Sequence, residues 1–245
     1  MKETDLLRWR SASGTHEGAR RSHNEDRILE KTDQSLWAVA DGMGGHAAGD
    51  RASAMVVEAL EEVSTGGHLS EVVDQVMRQL GQANDRIRDY AVTEQGGSMM
   101  GTTVVVLAGG HRHCACVWAG DSRLYRLRDG DLEQLCRDHS EVQRMVEQGV
   151  IREEEAEEHP GANVITRAVG AAPELLIDTR VFDVRAGDRY LLCSDGLYNE
   201  VGREDIASGL GQGEVEEAAR ILLAQALDMG ARDNVSVVVV EAQPE

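Results

Sequence analysis

Apolar positions along this chain follow two periods. Short runs of strand length and composition occur at residues 36–40 (LWAVA), 102–108 (TTVVVLA), 114–119 (CACVWA), 190–193 (YLLC) and 235–240 (VSVVVV). Weaker strand patterns fall at 27–31, 123–128 and 177–184. Between them, Ala52, Met55, Val56, Ala59, Leu60 and Val63 recur at helical spacing and predict one amphipathic helix. Val73, Val76, Leu80, Ala83, Ile87 and Tyr90 predict a second, and Val215, Ala218, Ala219, Leu222, Leu223 and Ala226 a third.

Strands and helices do not alternate regularly, which favours an α+β fold with largely antiparallel sheets over a doubly wound parallel one. Asp129-Gly130, between two short strand patterns, predicts a hairpin turn. The polar stretch 138–170 carries a glutamate-rich run at 153–158 that reads as a solvated helix face inside a mobile insertion. Three prolines in 245 residues and no internal repeat leave no sign of a linker, so one domain spanning 1–245 is expected.

Charge narrows the partners. With 25 basic and 44 acidic side chains the formal charge is −19, which argues against nucleic acid and anionic membranes as general partners. An anionic substrate would need local cations. The hydrophobic fraction of 41% is too high for a disordered chain. Cys114, Cys116, Cys136 and Cys193 mostly lie in apolar runs and form neither a zinc pattern nor a disulfide framework, so reduced core thiols are expected. Residues 1–10 lack the apolar segment of a secretory signal, and no run approaches a membrane span. A cytoplasmic location is therefore expected.

Carboxylates stand beside the best strand patterns. Asp41 follows LWAVA, Asp121 follows CACVWAG, Asp195 follows YLLCS, and Asp233 with Asn234 precedes VSVVVV. Asp favours turns for local reasons, which explains any one of them. Four together, each against a strongly apolar run, suggest a shared mouth. Converging carboxylates need a counter-charge, and oxygen donors without His or Cys pairs select hard cations, Mg²⁺ or Mn²⁺.

Other chemistries find little support. A cysteine-phosphatase loop, an aspartyl-phosphate motif, a P-loop, HExxH and GxSxG are all missing. Residues 42–47 read G-x-G-x-x-A between a strand and a helix, which is on paper a dinucleotide fingerprint. Asp41 would press against a pyrophosphate there, and Glu61 and Glu62 would end a helix instead of a second strand.

Eight blocks in order carry a resemblance: 18–27 (GARRSHNEDR), 40–53 (ADGMGGHAAGDRAS), 101–103, 119–124 (AGDSRL), 138–140, 163–170 (NVITRAVG), 194–197 (SDGL) and 232–235 (RDNV). The chain resembles the metal-dependent serine/threonine protein phosphatases of type 2C, the PPM family, in their bacterial form. That resemblance implies a four-layer α-β-β-α sandwich around a central antiparallel β-sandwich, with a core at about 11–242 and a flap at about 138–170. It also implies hydrolysis of phosphoserine or phosphothreonine by in-line attack of a hydroxide bridging two Mn²⁺ or Mg²⁺ ions.

Carried over position by position, Asp41 would bridge the ions, the Gly42 carbonyl would hold one, and Asp195 and Asp233 the other. Glu25 would act through water, Asp26 and Asn234 would support the ligands from behind, and Asp121 would take a third, weaker ion. Arg21 would grip the substrate phosphate, with Arg20 as its alternative. Met43 departs from the His of eukaryotic members, a proposed general acid, and His46 is an unassigned candidate for that role. The implied partners are phosphorylated proteins made by a cognate bacterial kinase, met by a monomer. The rival readings are a pseudophosphatase or phosphoprotein-binding module on the same fold, and, less favoured, a dinucleotide enzyme.

Overall fold

The computed structural model describes residues 7–44, 47–94, 96, 99–156 and 159–245. Its elements are β1 (Leu7–His16), β2 (Asp26–Lys31), β3 (Leu36–Met43), α1 (Ala47–Glu61), α2 (Leu69–Glu94), β4 (Gly101–Thr102), β5 (Val104–Ala108), β6 (His113–Ala119), β7 (Arg123–Arg128) and β8 (Asp131–Gln134). There follow α3 (Glu141–Glu147), α4 (Glu153–Ala156), β9 (Asp178–Asp183), β10 (Arg189–Cys193), α5 (Asp195–Tyr198), α6 (Arg203–Leu210), α7 (Val215–Asp228) and β11 (Val235–Pro244).

Two antiparallel sheets result, in the orders β1-β11-β10-β7-β8 and β2-β3-β5-β6-β9, with β4 added to β3. Period-two alternation explains how they stack. In β3, Trp37 and Val39 point into a core shared by the two sheets, whereas Leu36, Ala38 and Ala40 point into a second core under α1 and α2. In β11, Val238, Val240 and Ala242 join the shared core, while Val235, Val237 and Val239 meet a third core under α6 and α7. Both faces of each central strand are thus covered, which is why these segments read as unbroken apolar runs. The layers run helix, sheet, sheet, helix, as expected.

All five strong strand patterns form strands, and so do the three weaker ones. The 102–108 run is interrupted at Thr103, which leaves the ladder to bind the end of β3. Asp129 (φ 53°) and Gly130 (φ 85°) both lie in the left-handed region, the geometry of a tight hairpin turn. In α2 the inward position is Val72, with Val73 only half-buried against the same core. All four cysteines are buried and free. Glu153, Glu154 and Glu155 of α4 are exposed, while Glu157 and Glu158 lie outside the described residues. Among the described residues no helix is long and apolar enough to cross a membrane.

Candidate metal centre

The carboxylates come together at one end of the sheets. Asp26 opens β2 and lies directly across from Asp41 of β3 in the antiparallel register. Asp121 sits in the turn between β6 and β7, Asp195 begins α5 directly after β10, and Asp233 lies two residues before β11. Strand ends, a turn and a helix start thus present these residues, each held by a neighbouring strand.

Local hydrogen bonds fix each segment. The Asp41 amide donates to Thr103 Oγ1 at 3.1 Å, while its carbonyl accepts from the Thr103 amide at 2.8 Å and Thr102 Oγ1 at 2.9 Å. Asn234 Oδ1 accepts the Glu25 amide at 2.9 Å, and its Nδ2 donates to the carbonyls of Glu17 and His23, both at 2.9 Å. Asn234 thereby locks the loop bearing Arg21 and Glu25 onto the turn bearing Asp233. Ser194 Oγ donates to Asp26 Oδ2 at 2.7 Å, and Asn199 Nδ2 donates to Asp195 Oδ2 at 3.1 Å.

Backbones approach closely where the sequence places glycine. A Cβ on Gly42 would lie 2.2 Å from the Gly49 carbonyl oxygen and 2.7 Å from that of Glu25. One on Gly196 would lie 2.0 Å from the Asn234 carbonyl oxygen. These contacts bring β3, α1 and α5 against the loops that carry the acidic groups.

Electrostatics at this end are strained in one direction. Burial pushes Asp26 up to about 7, with Asp195 and Asp233 adding repulsion against its Ser hydrogen bonds. Burial and then Asp195 and Asp138 push Asp121 up to about 8. Burial and Asp233 raise Asp195 to about 6, and Asp41 is raised well above the usual range by burial together with Asp26, Asp195, Asp121 and Asp233. Burial also raises Glu25, although Arg21 opposes it.

Arg21 is the cation beside this group. Its Nη2 lies 2.7 Å from Asp233 Oδ2, and its charge feels Glu25 and Asp41 as well. Arg20 instead acts on Glu200, which is bonded to Arg232, so of the two arginines Arg21 is the one paired with a carboxylate of the cluster.

The donor set fits a divalent oxygen-seeking ion. Six carboxylates converge without a His or Cys among them, and the buried Glu25 Oε1 and Asp26 Oδ1 have no hydrogen-bond partner. Among the described residues no three such groups already close to ligand spacing. Gly42 lies at the same end, next to Asp41, and Met43 is half-buried at the end of β3. His46 lies outside the described residues.

Thr103, Ser194 and Gly49 lie inside blocks that carry the resemblance, but the sequence assigns none of them a role. Besides its place in the 101–103 block, Thr103 is marked by a polar pair at the head of an apolar strand. The roles of Ser194 and Gly49 depend on contacts with Asp26 and with Gly42 and Glu25, which are distant or separated by a turn.

Comparison with known proteins bears on this geometry. The serine/threonine protein phosphatase PstP of Mycobacterium tuberculosis (strain ATCC 25618 / H37Rv) is 41% identical over 236 residues, covering 95% of this chain. The chain spans 45% of PstP, about half its length. Among solved structures, PppA, a key regulatory component of T6SS in Pseudomonas aeruginosa, superposes with a TM-score of 0.90 at 41% identity, covering 97% of this chain and 99% of that one. The catalytic domain of PstP in complex with two manganese ions gives 0.85 at 38% identity, covering 97% and 99%. The family described as Protein phosphatase 2C matches residues 13–226. With the carboxylate cluster at the sheet ends and this match over most of its length, the chain belongs to the protein phosphatase 2C family.

Proposed function

We propose that this protein is a metal-dependent serine/threonine protein phosphatase that hydrolyses phosphoserine and phosphothreonine in proteins. The observation that carries the reading is the convergence of Glu25, Asp26, Asp41, Asp121, Asp195 and Asp233 at one end of the sheets, with Arg21 beside Asp233. Asp41, the Gly42 carbonyl, Asp195 and Asp233 would hold two ions, Mn²⁺ or Mg²⁺, with Glu25 acting through water and Asp121 taking a third. When bound, the pair supplies a water of lowered pKa for in-line attack and offsets charge on the phosphoryl oxygens.

The chain's own residues do the rest. Arg21 offers a permanently charged fork that matches two phosphate oxygens. Asp26 and Asn234 hold the ligand-bearing segments in place through Ser194 and the Glu25 amide. Residues 138–170 would form a flap beside the mouth of a single catalytic domain. The substrates would be proteins phosphorylated by a cognate bacterial kinase, met by a cytoplasmic monomer.

The test is turnover of p-nitrophenyl phosphate and of a phosphothreonine peptide. Both should require added Mn²⁺, stop with EDTA and fall sharply in Asp41→Ala. Turnover that ignores EDTA, or none with Mn²⁺ present, would refute the reading.

A further inference from the structure

Arg123 touches three segments at once. Its side chain is about four-fifths buried, and Asp138 is buried further still. Arg123 Nε donates to Asp138 Oδ1 and Oδ2 at 3.1 and 3.0 Å, and Nη2 donates to Oδ2 at 2.6 Å. Nη1 donates to Tyr125 Oη at 2.9 Å. The guanidinium carbon stands 3.6 Å from the centre of the Tyr198 ring, and Tyr198 Oη in turn donates to the Asp121 carbonyl at 3.0 Å.

The next residue after Asp138 repeats the connection. The His139 amide donates to the Gly120 carbonyl at 2.9 Å, and the Gly120 amide donates to His139 Nδ1 at 3.1 Å. Gln134 Nε2 adds a bond to Asp138 Oδ1 at 2.9 Å. Arg123, two residues after Asp121, therefore grips the first residue of the 138–170 segment and the Tyr198 ring of α5, and Tyr198 returns a bond to the turn bearing Asp121. A lysine could not reproduce this, because a point charge can neither fork onto a carboxylate nor stack a planar face on a ring.

We infer that Arg123 is a positioning residue that holds these three segments in register, so that cation binding at Asp121 and the placement of residues 138–141 depend on each other. The inference rests on the phosphatase reading for the identity of the ion, but its test can fail separately.

The experiment uses the full chain with Arg123→Lys and Tyr198→Phe. Mn²⁺ binding is measured by calorimetry, and hydrogen exchange is followed in peptides covering 119–123, 138–141 and 195–199, with and without Mn²⁺. In the unmutated protein Mn²⁺ should slow exchange in all three peptides. In Arg123→Lys the weakest class of Mn²⁺ sites should lose about tenfold in affinity, the loss typical when a residue supporting a ligand is changed. Mn²⁺ should then no longer slow exchange at 138–141. Tyr198→Phe keeps the stacking ring and should shift the same site in the same direction by less.

Unchanged Mn²⁺ affinity together with unchanged Mn²⁺-dependent protection in Arg123→Lys would overturn the inference. If that variant does not fold, unchanged affinity in Tyr198→Phe does so instead. A purely structural role would lower the melting temperature without altering the effect of Mn²⁺ on exchange, and that outcome also overturns it. Turnover of p-nitrophenyl phosphate by the unmutated protein is followed in parallel. Its absence would refute the phosphatase reading, and binding and exchange would still decide the role of Arg123.

Discussion

Arg21 Nη2 lies 2.7 Å from Asp233 Oδ2, so the residue proposed for the substrate phosphate is paired with one proposed for the ions. Both side chains are substantially exposed, and such a pair contributes about 0–1 kcal/mol to stability. Its value lies in offsetting the acidic mouth and in keeping the guanidinium beside it. Arg21→Ala should leave the melting temperature nearly unchanged. It should lower kcat/KM for a phosphothreonine peptide by about 10- to 100-fold, the range expected for losing charge-assisted hydrogen bonds of about 1.5–3 kcal/mol. Arg21→Lys should recover part of this. Wild-type kcat/KM in Arg21→Ala would remove Arg21 from substrate binding.

Metal-free protein should lose stability as pH rises. Asp26 and Asp121 titrate near 7 and 8 in the folded chain but near 3.9 when unfolded, so the folded state binds more protons between those limits. Stability then falls with pH across that window and levels off above it. The His139 pKa is lowered, chiefly by burial, which works the other way, but only below the ordinary histidine value near 6.5. In EDTA, raising pH from 6.5 to 8.5 should cost about 3 kcal/mol, or roughly 6–12 °C in melting temperature for a chain of this size. Excess Mn²⁺ should abolish or reverse the trend. A flat profile in EDTA would mean that burial and mutual repulsion do not hold protons on Asp26 and Asp121 as the geometry implies.

Two glycines should respond oppositely to the same added methyl group. At Gly42 a Cβ meets backbone, 2.2 Å from the Gly49 carbonyl oxygen, and neither strand nor helix can give way cheaply. Gly42→Ala should destabilise the protein by about 3 kcal/mol or more and weaken Mn²⁺ binding, because Asp41 moves with it. Gly81 lies inside α2 with nothing within 4 Å of its Cβ position. Gly81→Ala should stabilise by about 0.5–1 kcal/mol. Thermal melts of both variants check the pair, and a benign Gly42→Ala would refute the tight packing of β3 on α1.

The sandwich was legible because its central strands are buried on both faces, so residues 104–108 and 235–240 read as apolar runs. β1 was missed for the converse reason. It is an edge strand whose residues are half-buried or exposed, with Arg8, Arg10, Ser11 and Ser13 interleaved among Trp9 and Ala12. Its partner β11 supplies the apolar side of that pairing. In the site, Asp41, Asp195 and Asp233 stood out because each borders an apolar run. Thr103 and Ser194 did not, since a hydroxyl beside a strand has many ordinary uses. Only the fold shows that they reach Asp41 and Asp26. The charge of −19 was legible but misleading by itself, because part of it belongs to a cluster suited to ions.

Asp26 provides the sharpest separation of stability from function. Its side chain is almost wholly buried, one oxygen accepts from Ser194 Oγ, and the other has no partner. In Asp26→Asn the amide oxygen can still accept from Ser194, and the carboxylate that repels Asp41 and Asp195 is gone. At pH 8 in EDTA this variant should therefore be more stable than the unmutated protein, by about 1–3 kcal/mol. With Mn²⁺ the order should reverse. Losing a supporting charge behind the ligands lowers metal affinity by about 10- to 100-fold, and turnover at limiting Mn²⁺ should fall with it. Melting curves with EDTA and with Mn²⁺, read beside a Mn²⁺ titration of activity, make the comparison. A variant destabilised under both conditions would show that Asp26 is held for packing and hydrogen bonding, with no link to the ions.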